Sequence, residues 1–162
     1  MATIAKTMNK MKVVQLLKLL PEIDEEISTR KNIMTELEQH YNTVAAIQYD
    51  GMPKGKNHVS RPTEKMALNI PNYVRGEVKH YENEIEEFQQ VKVEILKEVS
   101  RLKLKHKKVI FGFYFHGLTW KEVAKLMNYS SRQCKNIRDE ALEQLLQRFS
   151  ENRVLVEYRI KE

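Results

Sequence analysis

The sequence predicts an all-α protein, in which a long, coiled-coil-like antiparallel helical hairpin precedes a helix-turn-helix. Three observations indicate this fold class. The 162 residues include only 5 Gly and 4 Pro, so turns are rare and long helices are favoured. Two long segments repeat apolar residues at alternating steps of four and three, the spacing of a coiled-coil seam. A third segment, residues 109–147, keeps helical spacing but is interrupted by two short turns.

The first predicted element is an amphipathic helix over residues 4–20. Apolar side chains recur at every third position, with lysines beside them; the stripe is Met8, Met11, Val14, Leu17 and Leu20. A basic amphipathic helix can bind a membrane surface or a partner, but packing on the rest of the chain is the favoured interpretation. Pro21 is expected to end or kink this helix, and the acidic residues after it suit the start of a new one.

The second and third helices, predicted at residues 22–49 and 72–103, are the arms of the hairpin. The seam of the second helix has two polar breaks and consists of Ile23, Ile27, Arg30, Met34, Leu37, Tyr41, Val44 and Gln48. The seam of the third is broken once, by a lysine, and consists of Val74, Val78, Tyr81, Ile85, Phe88, Lys92, Ile95, Val99 and Leu102. Heptad-patterned helices of similar length indicate an antiparallel pair, although the same seams could pair between subunits.

The arms make residues 1–102 a hairpin and interaction region, and a loop over residues 50–71 joins them. Several Pro and Gly residues interrupt regular structure in this loop. It is longer than a hairpin needs, and loops of this length are often functional or mobile. Its basic side chains could contact DNA or RNA polymerase, but a solvated surface is the favoured interpretation.

The helix-turn-helix is predicted within residues 103–150. Its first helix ends at His116, and Gly117 can take the positive φ that follows a helix end. Thr119 then caps a short helix, with Glu122 three residues later as in a capping box. Residues 128–130 form a turn, after which Ser130 or Ser131 caps a longer helix over about residues 132–149. The core face of this helix consists of Cys134, Ile137, Ala141, Leu142 and Leu145.

The polar residues that remain outside this core resemble the side chains with which proteins read a major groove. Arg132, Gln133 and Asn136 are expected at base edges, and Lys135 and Arg138 at phosphates. The complete predicted DNA-binding set is Thr119, Trp120, Lys121, Ser130, Ser131, Arg132, Gln133, Lys135, Asn136 and Arg138. Residues 103–150 hold ten Lys or Arg against four Asp or Glu, an excess equal to the net charge of +6 of the whole chain. A basic excess confined to one module indicates a polyanionic partner, double-stranded DNA.

The helix-turn-helix resembles region 4 of bacterial sigma-70-type factors, in which a recognition helix ends in an Ala-Leu-x-x-Leu run, here residues 141–145. The whole layout, with the Asp-Gly-Met-Pro sequence at residues 50–53, is similar to phage late-gene transcription activators of the RinA and ArpU type. This resemblance implies a transcription activator of phage or prophage genes that acts with host RNA polymerase in the bacterial cytoplasm. Unlike sigma factors, the chain has no recognisable core-binding or promoter-melting region.

The tail, residues 151–162, changes pattern. Every second residue is apolar, at Val154, Val156, Tyr158 and Ile160, which is strand periodicity. A lone strand needs a partner, and a second copy of the chain in a homodimer would supply one. A frayed tail and an extension of the recognition helix through Leu155 remain the alternatives.

Three classes of function stay open on the sequence alone. The first is a sequence-specific DNA-binding transcription regulator. The second is a DNA-recognition subunit of a phage packaging machine, similar to small terminase subunits, for which a ring of many copies would be diagnostic. The third is a helical adaptor that binds only protein. The His and Cys spacing predicts no metal site, and no nucleophile or phosphate-loop motif is present, so neither an enzyme nor a cofactor is expected. The single Cys fits a reducing cytoplasm, and no apolar run approaches the ~20 residues of a membrane span.

Overall fold

The computed structural model describes residues 8–49 and 71–160, and of residues 41–49 the backbone alone. This part of the chain contains six α-helices and no strand, so the all-α prediction is confirmed. A π-helical turn, Phe111–Phe115, follows the third helix. The helices are α1 Lys10–Tyr49, α2 Asn72–Ser100, α3 Leu104–Ile110, α4 Trp120–Met127, α5 Ser131–Glu151 and α6 Arg153–Glu157. The predicted loop lies outside the described residues apart from Pro71.

Helix α1 runs without interruption through Pro21, so the prediction of two separate helices was wrong. Proline lacks the N–H that would bond the carbonyl of residue 17, and this omission costs the helix one hydrogen bond. The buried stripe on either side of Pro21 offsets that cost, because Leu17, Leu20 and Ile23 are at most 6 % exposed. The proline ring itself is exposed, so tertiary packing continues through a position at which local preference favours a break.

Every seam residue whose side chain is described is buried or partly buried, and Val13, Leu16 and Leu17 are buried earlier in α1. Residues Tyr41, Val44 and Gln48 of the first seam lie outside that part. The polar breaks in the seams are ion-paired: Arg30 with Glu84, and Lys92 with Asp24. Asp24 of α1 pairs with Lys92 of α2, whereas the later residue Arg30 pairs with the earlier residue Glu84. The two helices are therefore antiparallel, as the sequence predicted.

The described residues form two compact units. One comprises residues 26–86, and the Arg30–Glu84 pair lies within it. The other combines the described parts of residues 1–25 and 87–162, and it contains the Lys92–Asp24 pair and the helix-turn-helix. The first turns of α1 therefore belong to the same compact unit as the C-terminal helices.

Residues 153–157 form helix α6, so the predicted strand at residues 153–160, and strand pairing with a second copy, were wrong. Its backbone groups are satisfied locally: Tyr158 N donates to Val154 O over 3.0 Å, and Leu155 N donates to Asn152 Oδ1 over 3.3 Å. The buried side chains are Leu155 and Tyr158, three residues apart, so the packing follows helical spacing. Helix α5 does not extend through Leu155 either, because it ends at Glu151 and Asn152 caps a new helix.

Three hydrogen bonds attach this tail to the long helices of its unit, and the longest runs from the Asn152 amide to Glu98 Oε1 over 3.4 Å. The Asn152 side-chain amide donates to Glu94 Oε2 on α2 over 2.8 Å. The Lys12 ammonium on α1 donates to the carbonyl of Val156 over 2.9 Å, and burial lowers the pKa of Lys12. The tail is thus a packed part of the core and not a frayed end.

Removing a buried side chain from the tail should therefore destabilise the protein. We expect Leu155→Ala to lower the free energy of unfolding by about 2–4 kcal/mol, because Leu155 is fully buried and the truncation leaves a cavity. The matched control is Arg153→Ala in the same helix, whose side chain is 88 % exposed, and which should leave stability close to that of the parent. Urea denaturation of both variants measures the difference, and equal stabilities would contradict the packing of α6.

Candidate nucleic-acid interface

The first helix of the helix-turn-helix ends in a π-helical turn that the sequence did not predict. The carbonyl of Phe111 accepts from His116 N over 2.9 Å, which is the five-residue spacing of a π-helix. Gly117 follows with φ +66°, as its place after a helix end predicted. Phe113 from this turn joins a small core formed by the helix-turn-helix, whose buried members are Val109, Val123, Cys134 and Ile137.

Helix α4 begins at the predicted cap. Glu122 N donates to Thr119 Oγ1 over 3.2 Å, which satisfies one of the free backbone donors of the first turn. The Thr119 hydroxyl in turn donates to Glu122 Oε1 over 3.1 Å, in place of the backbone bond of a full capping box. The helix ends at Asn128, which has φ +57° in the left-handed region. Short polar side chains tolerate that region, so Asn128 ends the helix as glycine would.

Helix α5, the predicted recognition helix, begins one residue earlier than predicted, at Ser131. Ser130 is its cap, because its hydroxyl accepts from Gln133 N over 3.1 Å. This resolves the alternative that the sequence left between Ser130 and Ser131. The predicted core face is confirmed, since every one of its residues is buried: Cys134, Ile137, Ala141, Leu142 and Leu145.

The structure divides the ten predicted site residues by exposure. Seven are exposed around the start of α5 and the start of α4: Thr119, Lys121, Ser130, Arg132, Gln133, Lys135 and Asn136. The other three are partly buried: Trp120, Ser131 and Arg138. The hydroxyls of Thr119 and Ser130 already accept backbone hydrogen bonds as caps, so their first role is to begin the two helices.

Trp120 packs inward, unlike the other predicted site residues. Its ring stacks on Phe113, with 4.0 Å between centroids and 17° between planes. The guanidinium carbon of Arg138 lies 5.0 Å from the same indole, within cation–π range. Arg138 Nε also donates to Asp139 Oδ1 over 3.0 Å. The side chains of Trp120 and Arg138, both predicted to contact DNA, are therefore held in place by other residues of the protein.

The sequence segment that runs from α4 to the middle of α5 contains basic residues but no acidic ones, although Asp139 follows it and pairs with Arg138. No Asp or Glu occurs in the sixteen residues from Val123 to Arg138, which include four basic residues: Lys125, Arg132, Lys135 and Arg138. Lys125 is exposed in the last turn of α4, and it was missing from the predicted set. Its place in this acid-free segment is the signal that could have identified it. The positive end of the α5 dipole adds to the same field.

The part of the chain with described side chains offers neither a metal-binding cluster nor a membrane-spanning helix. It contains no group of three His, Cys, Asp or Glu residues placed to hold a metal ion. None of its helices is long and apolar enough to cross a membrane. No protein-family model matches the chain, and neither a curated protein nor a solved structure is detectably similar to it.

Two glycines in different backbone conformations give opposite predictions for the same substitution. Gly117→Ala should destabilise the protein by about 1–2 kcal/mol, because an alanine at φ +66° is strained although nothing lies within 4 Å of the added methyl. Gly76→Ala should stabilise it by about 0.5–1 kcal/mol, because Gly76 lies inside helix α2 and is equally uncrowded. Thermal unfolding of both variants measures the two signs, and a neutral Gly117→Ala would contradict the turn geometry.

Burial of Cys134 predicts an unreactive thiol. Burial raises the pKa of Cys134, so the folded protein disfavours the thiolate that reacts with disulfide reagents. We expect slow labelling at pH 8 in buffer and rapid labelling in denaturant. Because the folded pKa is the higher one, this thiol's contribution to stability is present below the unfolded value of about 8.5 and is lost as pH rises above it.

The control for the pH dependence is Cys134→Ala, which removes the titrating group. Urea midpoints at neutral and alkaline pH should fall less in this variant than in the parent. Labelling of the folded parent at the rate of the unfolded chain would show that Cys134 is not in the core.

Proposed function

We propose that this protein is a sequence-specific DNA-binding transcription regulator, with α5 as its recognition helix. The observation that carries the proposal is the acid-free segment Val123–Arg138, which includes the capped start of α5. A duplex has a dense line of phosphates, and a segment without carboxylates avoids repulsion along that line. The exposed Arg132, Gln133 and Asn136 carry the donors and acceptors that base edges require.

The regulatory part of the proposal comes from the resemblance to sigma region 4 and to phage late-gene activators. In this proposal α5 binds a promoter-proximal site in the bacterial cytoplasm, and another surface of the chain contacts host RNA polymerase. The packed hairpin base supports a fixed arrangement of the helix-turn-helix, since α1 and α2 both bond to the tail that follows α5. A homodimer remains part of the proposal only through the heptad seams, because the tail is helical.

Base reading and phosphate binding make separable predictions. After bound sequences are selected from a random duplex pool, Arg132→Ala and Asn136→Ala should each weaken binding to the selected site by about 1–3 kcal/mol and relax its sequence preference. The fold should be unaffected, because both side chains are exposed. The matched control is Lys97→Ala, an exposed basic residue on α2, which should bind as the parent does. Variants that discriminate between sites as the parent does would contradict the assignment of α5.

The salt dependence of the association constant tests whether the protein binds a DNA duplex, independently of sequence preference. The logarithm of the association constant should fall with the logarithm of salt concentration by about 0.9 for each phosphate neutralised, through release of counterions. Lys125→Ala and Lys135→Ala should each reduce that slope, whereas Lys97→Ala should leave it unchanged. A slope near zero would support the adaptor that binds only protein, and a ring of many copies in solution would support the packaging subunit.

A further inference from the structure

The side chain of Arg138 is held in place before any partner binds. It lies seven residues after the start of α5 and is 25 % exposed. Trp120 contacts the guanidinium group, and the Asp139 carboxylate accepts from its Nε over 3.0 Å. Trp120 is fixed in turn by its stack on Phe113 and by its place beside the core of the helix-turn-helix. Two interactions on different atoms leave a long side chain little freedom to rotate.

The remaining edge of the guanidinium is available to a ligand. Within residues 8–40 and 71–160, no hydrogen-bond partner is found for the two Nη atoms of Arg138. These terminal nitrogens form a planar fork whose spacing matches two oxygens of a phosphate. Because Nε of Arg138 is hydrogen-bonded to Asp139 and its two Nη atoms are not bonded within the described residues, both Nη atoms can donate to a phosphate. An arginine that is already ordered also loses less side-chain freedom when it binds.

The segment that ends at Arg138 offers an anion at this edge little repulsion. Its sixteen residues include no carboxylate, and the Asp139 carboxylate that follows it lies on the Nε side of the guanidinium. Lys135 is exposed three residues earlier on α5, on the neighbouring turn of the same helix. The two basic side chains can therefore contact the backbone of one strand.

We propose that Arg138 is a pre-oriented clamp for a phosphate of the bound duplex and that Trp120 is the positioning residue that holds it. The inference rests on the proposed function, because the phosphate belongs to the same DNA. It assigns Trp120 a different role from the direct DNA contact predicted from the sequence. The indole acts through Arg138, and the clamp sets the position of α5 along the strand without reading bases.

The test uses the full chain and a random-sequence duplex of about 30 base pairs at roughly 50 mM salt, where phosphate contacts dominate. Arg138→Ala should weaken binding about tenfold and lower the salt slope by about 0.9. Arg138→Lys keeps the charge but loses the fork, so it should also weaken binding severalfold. Lys97→Ala, which removes a basic residue of α2, serves as the control for net charge.

A double-mutant cycle separates positioning from a structural role. Trp120→Leu should weaken binding about three- to ten-fold in the parent, because the cation–π contact is lost. In the Arg138→Ala background the same substitution should have no further effect. An equal loss in both backgrounds would show that Trp120 serves only the fold, and Arg138→Lys binding as the parent does would overturn the clamp.

A second measurement applies even if Trp120→Leu does not fold. Trp120 is the sole tryptophan, so its fluorescence reports on the stack directly. Arg138→Ala should shift its emission in the absence of DNA, and unchanged emission would overturn the positioning. A parent protein that binds no duplex would overturn the proposed function and the clamp together. A parent that binds duplex while Arg138→Ala binds equally well would overturn only the clamp.

Discussion

The buried face of α5 is the constraint on which the rest of the helix-turn-helix depends. Its core residues, from Cys134 to Phe149, are at most 5 % exposed. An α-helix has 3.6 residues per turn, so burying one face fixes which side chains point outward. The polar set at Arg132, Gln133 and Asn136 is exposed for this reason. A rotation of the helix by one residue would bury charge and expose Ile137, at a cost far above that of any single surface contact.

The long helices and the tail share that core. Helix α1 contributes its first turns to the compact unit that contains α5, and α2 contributes its last turns. Their buried stripes include Leu16 and Leu17 on one helix and Ile95 and Val99 on the other. Lys12 and Asn152 add hydrogen bonds to this apolar packing, and these bonds require a defined geometry between the tail and the long helices. The C-terminal half of α5 therefore shares a compact unit with the long helices, while Arg132, Gln133 and Asn136 in its N-terminal half are exposed.

Within the candidate interface, polar groups divide into those that build the helices and those that remain available. Thr119 and Ser130 act as caps, and Trp120 packs between the turn and Arg138. These residues adjoin the exposed polar residues, but their own side chains stabilise the helix ends and the packing of the helix-turn-helix. Sequence patterns place both kinds at the same end of a helix, because caps and DNA contacts favour the same polar residue types.

The sequence by itself determined the elements whose causes are local. Gly117 and Thr119 marked two helix ends, Ser130 was one of two candidate caps, and the spacing of Cys134 and Ile137 fixed the buried face of α5. Caps and periodicity depend on neighbours in the chain. Only the tertiary structure decided the outcomes in which distant contacts override local preference. Burial of Leu17 and Leu20 carried α1 through Pro21, packing of Leu155 made the tail helical against its alternating pattern, and the Phe113 stack turned Trp120 inward. Each of these side chains gains more from apolar burial than its local backbone preference costs, and that gain cannot be read from neighbours in sequence.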